Sequence, residues 1–198
     1  TDYTGWSGPV DIPRVVTMNN AHETHWTPFP NERIQHVLRG WADAEGVPAD
    51  HYVEVGDTLV RNVPTDVRSW GGGRRENGNS IFIFEVGDLC IGHLGHLHHR
   101  LGNDHMAAIG RLDVVMAAVD GGLTLDLPTM TRVLKRLKAS LVIPMHWFSP
   151  SSLDRFVVGM QDAFDIRREA PNSIEVSLRT LPDRPTVVVL APRFLSDG

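Results

Sequence analysis

The sequence predicts an α/β domain. Short apolar runs of strand length alternate with amphipathic helical patterns, and no linker, repeat or low-complexity segment divides the 198 residues, so one domain is expected over 1–198. A further observation is chemical. Three separate apolar strands each end on histidine: Met18 before His22 and His25, Ile91 before His93 and His96, and Met145 before His146. Ligands for a catalytic metal typically come from strand ends brought together at one edge of a sheet, and one shared site explains three such ends better than three coincidences.

Arg14 to Met18 reads as a buried strand, being short, β-branched and bounded by Pro13 and Asn19-Asn20. It delivers His22 and His25, three residues apart. After Pro28 and Pro30, Ile34, Val37, Leu38 and Trp41 follow helical spacing, while His36 to Gly40 serves equally as a strand. Tyr52 to Val55 and Thr58 to Val63, joined by Gly56-Asp57, predict a β-hairpin closed by Pro64-Thr65-Asp66. Ser69 to Asn79 is rich in Gly, Arg and Asn around Trp70, and predicts a loop forming one wall of a pocket.

Ser80 to Glu85 and Leu89 to Ile91 predict two strands joined at Gly87-Asp88. Four of the ten histidines then fall within seven positions, at His93, His96, His98 and His99. Imidazole is a common ligand for zinc and suits copper, nickel and iron. Of the four, His98 and His99 read as ordinary loop residues. Asn103 or Asp104 is expected to cap a short helix running to Gly110, and Leu112 to Val119 is nearly continuous apolar, as in a central strand. That strand runs into Asp120-Gly121-Gly122. Asp126 caps a helix with Pro128 in its first turn, burying Met130, Val133, Leu134 and Leu137. Ser140 to Met145 is a further buried strand. A helix from about Ser152 follows, then strands at Ser173 to Leu178 and Thr186 to Leu190.

Net charge is −5 with no extended basic cluster, which gives no support to a nucleic-acid or anionic-membrane partner. No apolar run approaches membrane-spanning length. The chain opens on Thr1 without an initiator Met, so a processed or truncated start is expected, and the compartment, cytoplasmic or exported, stays open. The single Cys90 excludes an intrachain disulfide framework and reads as a small buried hydrophobe.

Five blocks then follow in order: Asn79-Ser80-Ile81-Phe82, Gly92-His93-Leu94-Gly95, Leu112-Asp113-Val114-Val115, Asp120-Gly121-Gly122-Leu123-Thr124 and Ile143-Pro144-Met145-His146-Trp147. In these blocks the chain resembles the metallo-β-lactamase-fold hydrolases, in particular the short branch similar to ascorbate-6-phosphate lactonase. The resemblance covers most of the chain and fails near its two ends. It implies an αββα sandwich, with two packed sheets and helices outside. The sheet holding Leu112 to Val119 and Ser140 to Met145 should be largely complete, and the other should lack the family's first strands or take them from residues not in this chain.

The resemblance also implies a degenerate ligand set. The family's His-x-His-x-Asp-His motif falls on Asn20, His22, Thr24 and His25. The metal-bridging aspartate becomes His96, the last ligand is retained as His146, and Asp66 lies nearest to a further lost histidine. A carboxylate can bridge two cations, whereas a neutral imidazole cannot. One zinc ion per chain is therefore expected, held by three or four of His22, His25, His96 and His146. The leading function is hydrolysis of an ester, lactone or amide by a water activated on that ion. Asp66, then Asp120, then Glu23 are the candidates to take the water proton. A small-molecule substrate is the expected partner, and a homo-oligomer is left open. Two other readings stand beside this one: a metal-binding domain of the same fold that has lost the chemistry, and a metal-free scaffold for protein contacts.

Overall fold

The computed structural model describes residues 1–5, 11–69, 71–168 and 172–192. Among them, β1 (Val15–Met18) and β2 (His36–Arg39) pair in parallel as a small sheet. The large sheet takes β3 (Tyr52–Val55), β4 (Thr58–Arg68), β5 (Arg74–Val86), β6 (Leu89–His93), β7 (Val114–Ala118), β8 (Leu141–Met145), β9 (Asp165–Arg168) and β10 (Thr186–Val189). Its spatial order is β3-β4-β5-β6-β7-β8-β10-β9. Pairing is antiparallel from β3 to β6 and parallel from β6 onward, so the sheet is mixed. Three helices, α1 (Asn103–Ile109), α2 (Leu127–Leu137) and α3 (Pro150–Met160), lie between the later strands in sequence.

The layers follow from the period of two along each strand. Ile81 and Ile83 of β5, Val115 and Ala117 of β7 and Val187 and Val189 of β10 face the helices. There they pack with Met130, Leu134, Leu153 and Phe156 in the main core. The alternate residues face the other way. Phe82 of β5 meets Leu38 of the small sheet, and Val114, Leu141 and Val188 meet Ile174, Val176 and Leu181. One face of the large sheet is therefore covered by helices. The other is covered partly by the two-stranded sheet and partly by an irregular segment. This is the expected architecture, with one extensive sheet and one reduced to two strands.

Several elements depart from the sequence reading. The Ile34–Trp41 ambiguity resolves as strand, because β2 completes a ladder with β1. β4 does not end at Pro64 but continues to Arg68. β3 pairs only with Thr58 to Arg61, so Pro64 lies beyond that ladder, on an outer edge where a missing N–H is tolerated. The Ser69–Asn79 loop shrinks, because Arg74–Asn79 belongs to β5 and pairs with β4 across an irregularity between Thr65 and Val67. The first turn of α1 is capped by Gly102 without a side-chain bond, rather than by Asn103 or Asp104. Ser173 to Leu178 forms no strand, although Ile174 and Val176 still bury. The sheet edge is filled instead by β9, which escaped notice because an exposed edge strand needs only one apolar residue, here Ile166.

Candidate metal centre

The histidines are carried at the C-terminal ends of β1, β6 and β8, and buried asparagines lock two of those ends together. Asn19, just past β1, donates through Nδ2 to the carbonyls of Ser80 and His93. Asn79 on β5 donates to Thr65 Oγ1 at 2.7 Å and to the Leu94 carbonyl, and its Oδ1 accepts the His96 N–H at 2.8 Å. The loop after β6 turns at Gly95, where φ is +57° and a Cβ would lie 2.4 Å from Asn79 Oδ1. Only glycine fits there, and that close approach is what aims His96. His22 and His25 share a tight turn in which the His25 N–H donates to the His22 carbonyl at 2.8 Å. His146 follows β8 with φ +53°, a left-handed conformation costly for a residue with a Cβ and typical of functional sites.

These ends bring three imidazoles together. Ring centroids are 4.3 Å apart for His25 and His96, 4.7 Å for His96 and His146, and 5.5 Å for His25 and His146. One ring nitrogen from each lies within 4.8 Å of the other two, and no other such group of three occurs among the described residues. His22 stands beside them, its centroid 5.8 Å from that of His25 and 6.1 Å from that of His96. Its Nδ1 is hydrogen-bonded to Thr24 Oγ1 at 2.8 Å.

Two carboxylates stand behind the cluster. His25 Nδ1 is 3.2 Å from Asp2 Oδ2, and His146 Nδ1 is 3.0 Å from Asp120 Oδ2. In each pair the imidazole donates through Nδ1, which leaves Nε2 as a lone-pair donor. This carboxylate–histidine arrangement is the one that orients metal ligands. Burial pushes the Asp2 carboxyl up, but the hydrogen bond with His25 and the nearby His93 outweigh it and hold it at about 2. Burial likewise opposes ionisation of Asp120. Bonds from His146, Thr124 and Gly122 nonetheless keep it well below the usual carboxylate range. His96 is lowered to about 3, first by burial and then by the neighbouring His25 and His146, so its ring is neutral near pH 7. Its Nε2 is buried with no hydrogen-bond partner. This partnerless nitrogen, converging with a ring nitrogen each from His25 and His146, fits a divalent cation.

The sequence-predicted residues divide accordingly. His25, His96 and His146 are brought together, and His22 is adjacent. His93 turns away: its Nδ1 donates to Asn19 Oδ1 at 2.9 Å, and burial lowers it to about 4. Asp66 is engaged elsewhere, accepting the Asn77 N–H and pairing with Arg74 Nε at 2.7 Å. Asp120 is committed to His146, the Thr124 hydroxyl and the amides of its own turn. Neither carboxylate lines the cavity onto which the histidines open, and neither does Glu23. That cavity is about 680 Å³, with Val67, Leu123 and Phe148 as apolar wall and Arg68 and Arg75 as its cations. Trp70, expected in the wall, lies outside the described residues. Asp2 was missed, since nothing local in the sequence links it to a histidine 23 positions on.

Comparison with known proteins agrees with the fold. The family model described as a Beta-lactamase superfamily domain matches residues 1–146. The chain belongs to the metallo-beta-lactamase superfamily. Among solved structures it is similar to a Thermotoga maritima protein assigned to the Zn-dependent hydrolases of that superfamily. The identity is 23%, the match covers 92% of this chain and 85% of that one, and the TM-score is 0.64. Igni18, a metallo hydrolase from Ignicoccus hospitalis, matches with 14% identity over 75% of this chain and 72% of its own, at a TM-score of 0.53. CmlA, a diiron β-hydroxylase from Streptomyces venezuelae, matches with 12% identity over 78% of this chain and 42% of its own, at 0.57. At these identities the structural likeness establishes the fold. A search of curated protein sequences finds no match.

Proposed function

We propose that the chain is a single-metal hydrolase acting on an ester, lactone or amide, with zinc held by His25, His96 and His146. One observation carries the reading: the partnerless buried Nε2 of His96 belongs to the one group of described residues whose nitrogens converge. When bound, the ion would supply an acidified water and a Lewis acid for the carbonyl oxygen. The protein contributes the rest. Asp2 and Asp120 hold the rings of His25 and His146 by accepting their Nδ1 protons, and both are positioning residues. His22 lines the same cavity and is the nearby imidazole left to take a proton, the role expected of Asp66 or Asp120. His96 in place of a bridging carboxylate favours one ion over two. The ordered blocks similar to ascorbate-6-phosphate lactonase make lactones the first substrates to try.

Elemental analysis of purified protein, followed by a panel of esters, lactones and amides, tests the reading. We expect about one zinc per chain and turnover that a chelator abolishes and zinc restores. A retained metal with no turnover across the panel replaces this reading with a metal-binding domain. An absence of tightly bound metal removes both.

A further inference from the structure

The cavity has a charge asymmetry that the metal reading leaves unused. Its described walls carry two arginines and four histidines but no aspartate or glutamate, in a chain whose net charge is −5. The carboxylates behind the cluster, Asp2 and Asp120, are already committed to His25 and His146.

The arginines at this edge differ in their partners. Successive strand residues point to opposite faces, so Arg74 and Arg75 of β5 part company. Arg74 is neutralised by Asp66 at 2.7 Å. Arg68, paired in register with Arg74, donates to the Gly122 carbonyl and ties the end of β4 to the Asp120 turn. Arg75 is exposed, lines the cavity, and has no hydrogen-bond or ion-pair partner among the described residues. Its stem has a built seat. A Cβ at Gly78 would lie 2.7 Å from Arg75 Nε and 2.4 Å from Val67 Cγ1, so the missing side chain makes room for the guanidinium beside an apolar wall. Val67, Arg75's partner in register, belongs to that wall with Leu123 and Phe148, which are 58% and 71% exposed at the cavity.

We infer that Arg75 is a specificity-determining residue, which selects substrates carrying an oxyanion, carboxylate or phosphate, on an apolar body. The apolar body lies on Val67, Leu123 and Phe148. The oxyanion accepts from the guanidinium, whose planar fork matches both anions. An unpaired cation beside apolar surface favours such a ligand over its neutral isostere, because a carboxylate or phosphate accepts charge-assisted, bidentate bonds that an amide carbonyl cannot match. This inference rests on the reading of the cavity as a substrate pocket, but its test needs no turnover.

Phenylacetate, phenyl phosphate and the neutral phenylacetamide should be titrated by calorimetry or NMR into the protein as purified, with metal content measured alongside. At least one anion should bind about tenfold or more tightly than the amide, in line with a charge-assisted hydrogen bond. Arg75→Gln should erase most of that preference with metal content and fold unchanged, Arg75→Lys should keep part of it, and Arg33→Gln, at an exposed site away from the cavity, should change nothing. The relative strength of the two anions identifies carboxylate or phosphate. No detectable binding, equal binding of amide and anions, or a preference that survives Arg75→Gln overturns the inference. In the last case the metal or the histidines hold the anion. A hydrolase assay that fails while the Arg75-dependent preference holds removes the hydrolase reading alone.

Discussion

The loop after β6 supplies histidines to two neighbouring regions with different fates. His96 joins His25 and His146, with ring centroids 4.3 and 4.7 Å away. His99 stacks edge-on against His105 at 5.2 Å, its Nδ1 donating to the Arg100 carbonyl and its Nε2 3.9 Å from Asp66 Oδ2. Both regions contain buried ring nitrogens without partners: His96 Nε2 in the first, His98 Nδ1 and His99 Nε2 in the second. An orphaned imidazole nitrogen therefore does not define a metal site. What sets the first region apart is the convergence of three, with carboxylates behind two of the rings, and only that region has both among the described residues.

Substitutions can break that contrast. The largest effect is expected from His96→Ala. It should lower metal affinity by more than about 100-fold, since changes behind the ligands alone cost about 10–100-fold. Metal content after dialysis against a competing chelator measures it, and tight binding retained by the variant would make His96 an ordinary loop residue. His96→Asp sharpens the same point. It restores a carboxylate able to bridge, yet Asn20 and Thr24 remain, so the variant should hold one metal and not two. Two equivalents by elemental analysis would show that the single substitution decides the stoichiometry.

Next in size is Asp120→Asn, which keeps the shape but can present its amide N–H to His146 Nδ1 and favour the wrong tautomer. Affinity should fall by about 10–100-fold with unfolding behaviour little changed. An unaltered Kd in a competition titration would reduce Asp120 to a turn residue.

A pH effect separates a third fate, that of His93. Its pKa falls from 6.5 in the free side chain to about 4 in the fold because it is buried. Between those values the unfolded chain binds a proton that the folded chain does not, so stability should decline as pH falls through that window. Urea midpoints of the wild type and of His93→Gln should diverge near neutrality and approach one another toward pH 4. A constant offset would remove His93 as the cause.

The smallest effect is expected from His98→Ala. Metal affinity should stay within about 0.5 kcal/mol of wild type, as for a substitution away from the ligand cluster. A loss comparable with that of His96→Ala would merge the two regions into one site.

Local pattern was enough for much of the framework. The apolar runs at Val15–Met18, Ser80–Glu85, Val114–Ala118 and Leu141–Met145 declare themselves as strands, because burying both faces demands continuous hydrophobicity. Asp126 with Pro128 marks a helix start through short-range bonding, and it is observed, with the Thr129 N–H donating to Asp126 at 2.9 Å. The ends of the runs at Val15–Met18, Leu89–Ile91 and Leu141–Met145 mark His22, His25, His96 and His146 as ligand candidates, since a ligand needs a rigid element to hold it.

The rest depends on distance across the fold. Strand β9 and the run of β4 past Pro64 carry little hydrophobic signal, because edges need less burial, and only pairing reveals them. Asp2 and Asp120 carry no mark of their roles, because a carboxylate behind an imidazole is defined by which ring it meets, 23 or 26 residues away in sequence. The split between Arg74, neutralised, and Arg75, free at the cavity, is likewise invisible in two adjacent identical letters. Sequence determined which residue types stand at strand ends, because hydrophobic periodicity is local. Only the tertiary structure decided which of them meet, as an ion pair, a hydrogen bond or a convergent cluster, because those interactions fall off over a few ångströms of space and not along the chain.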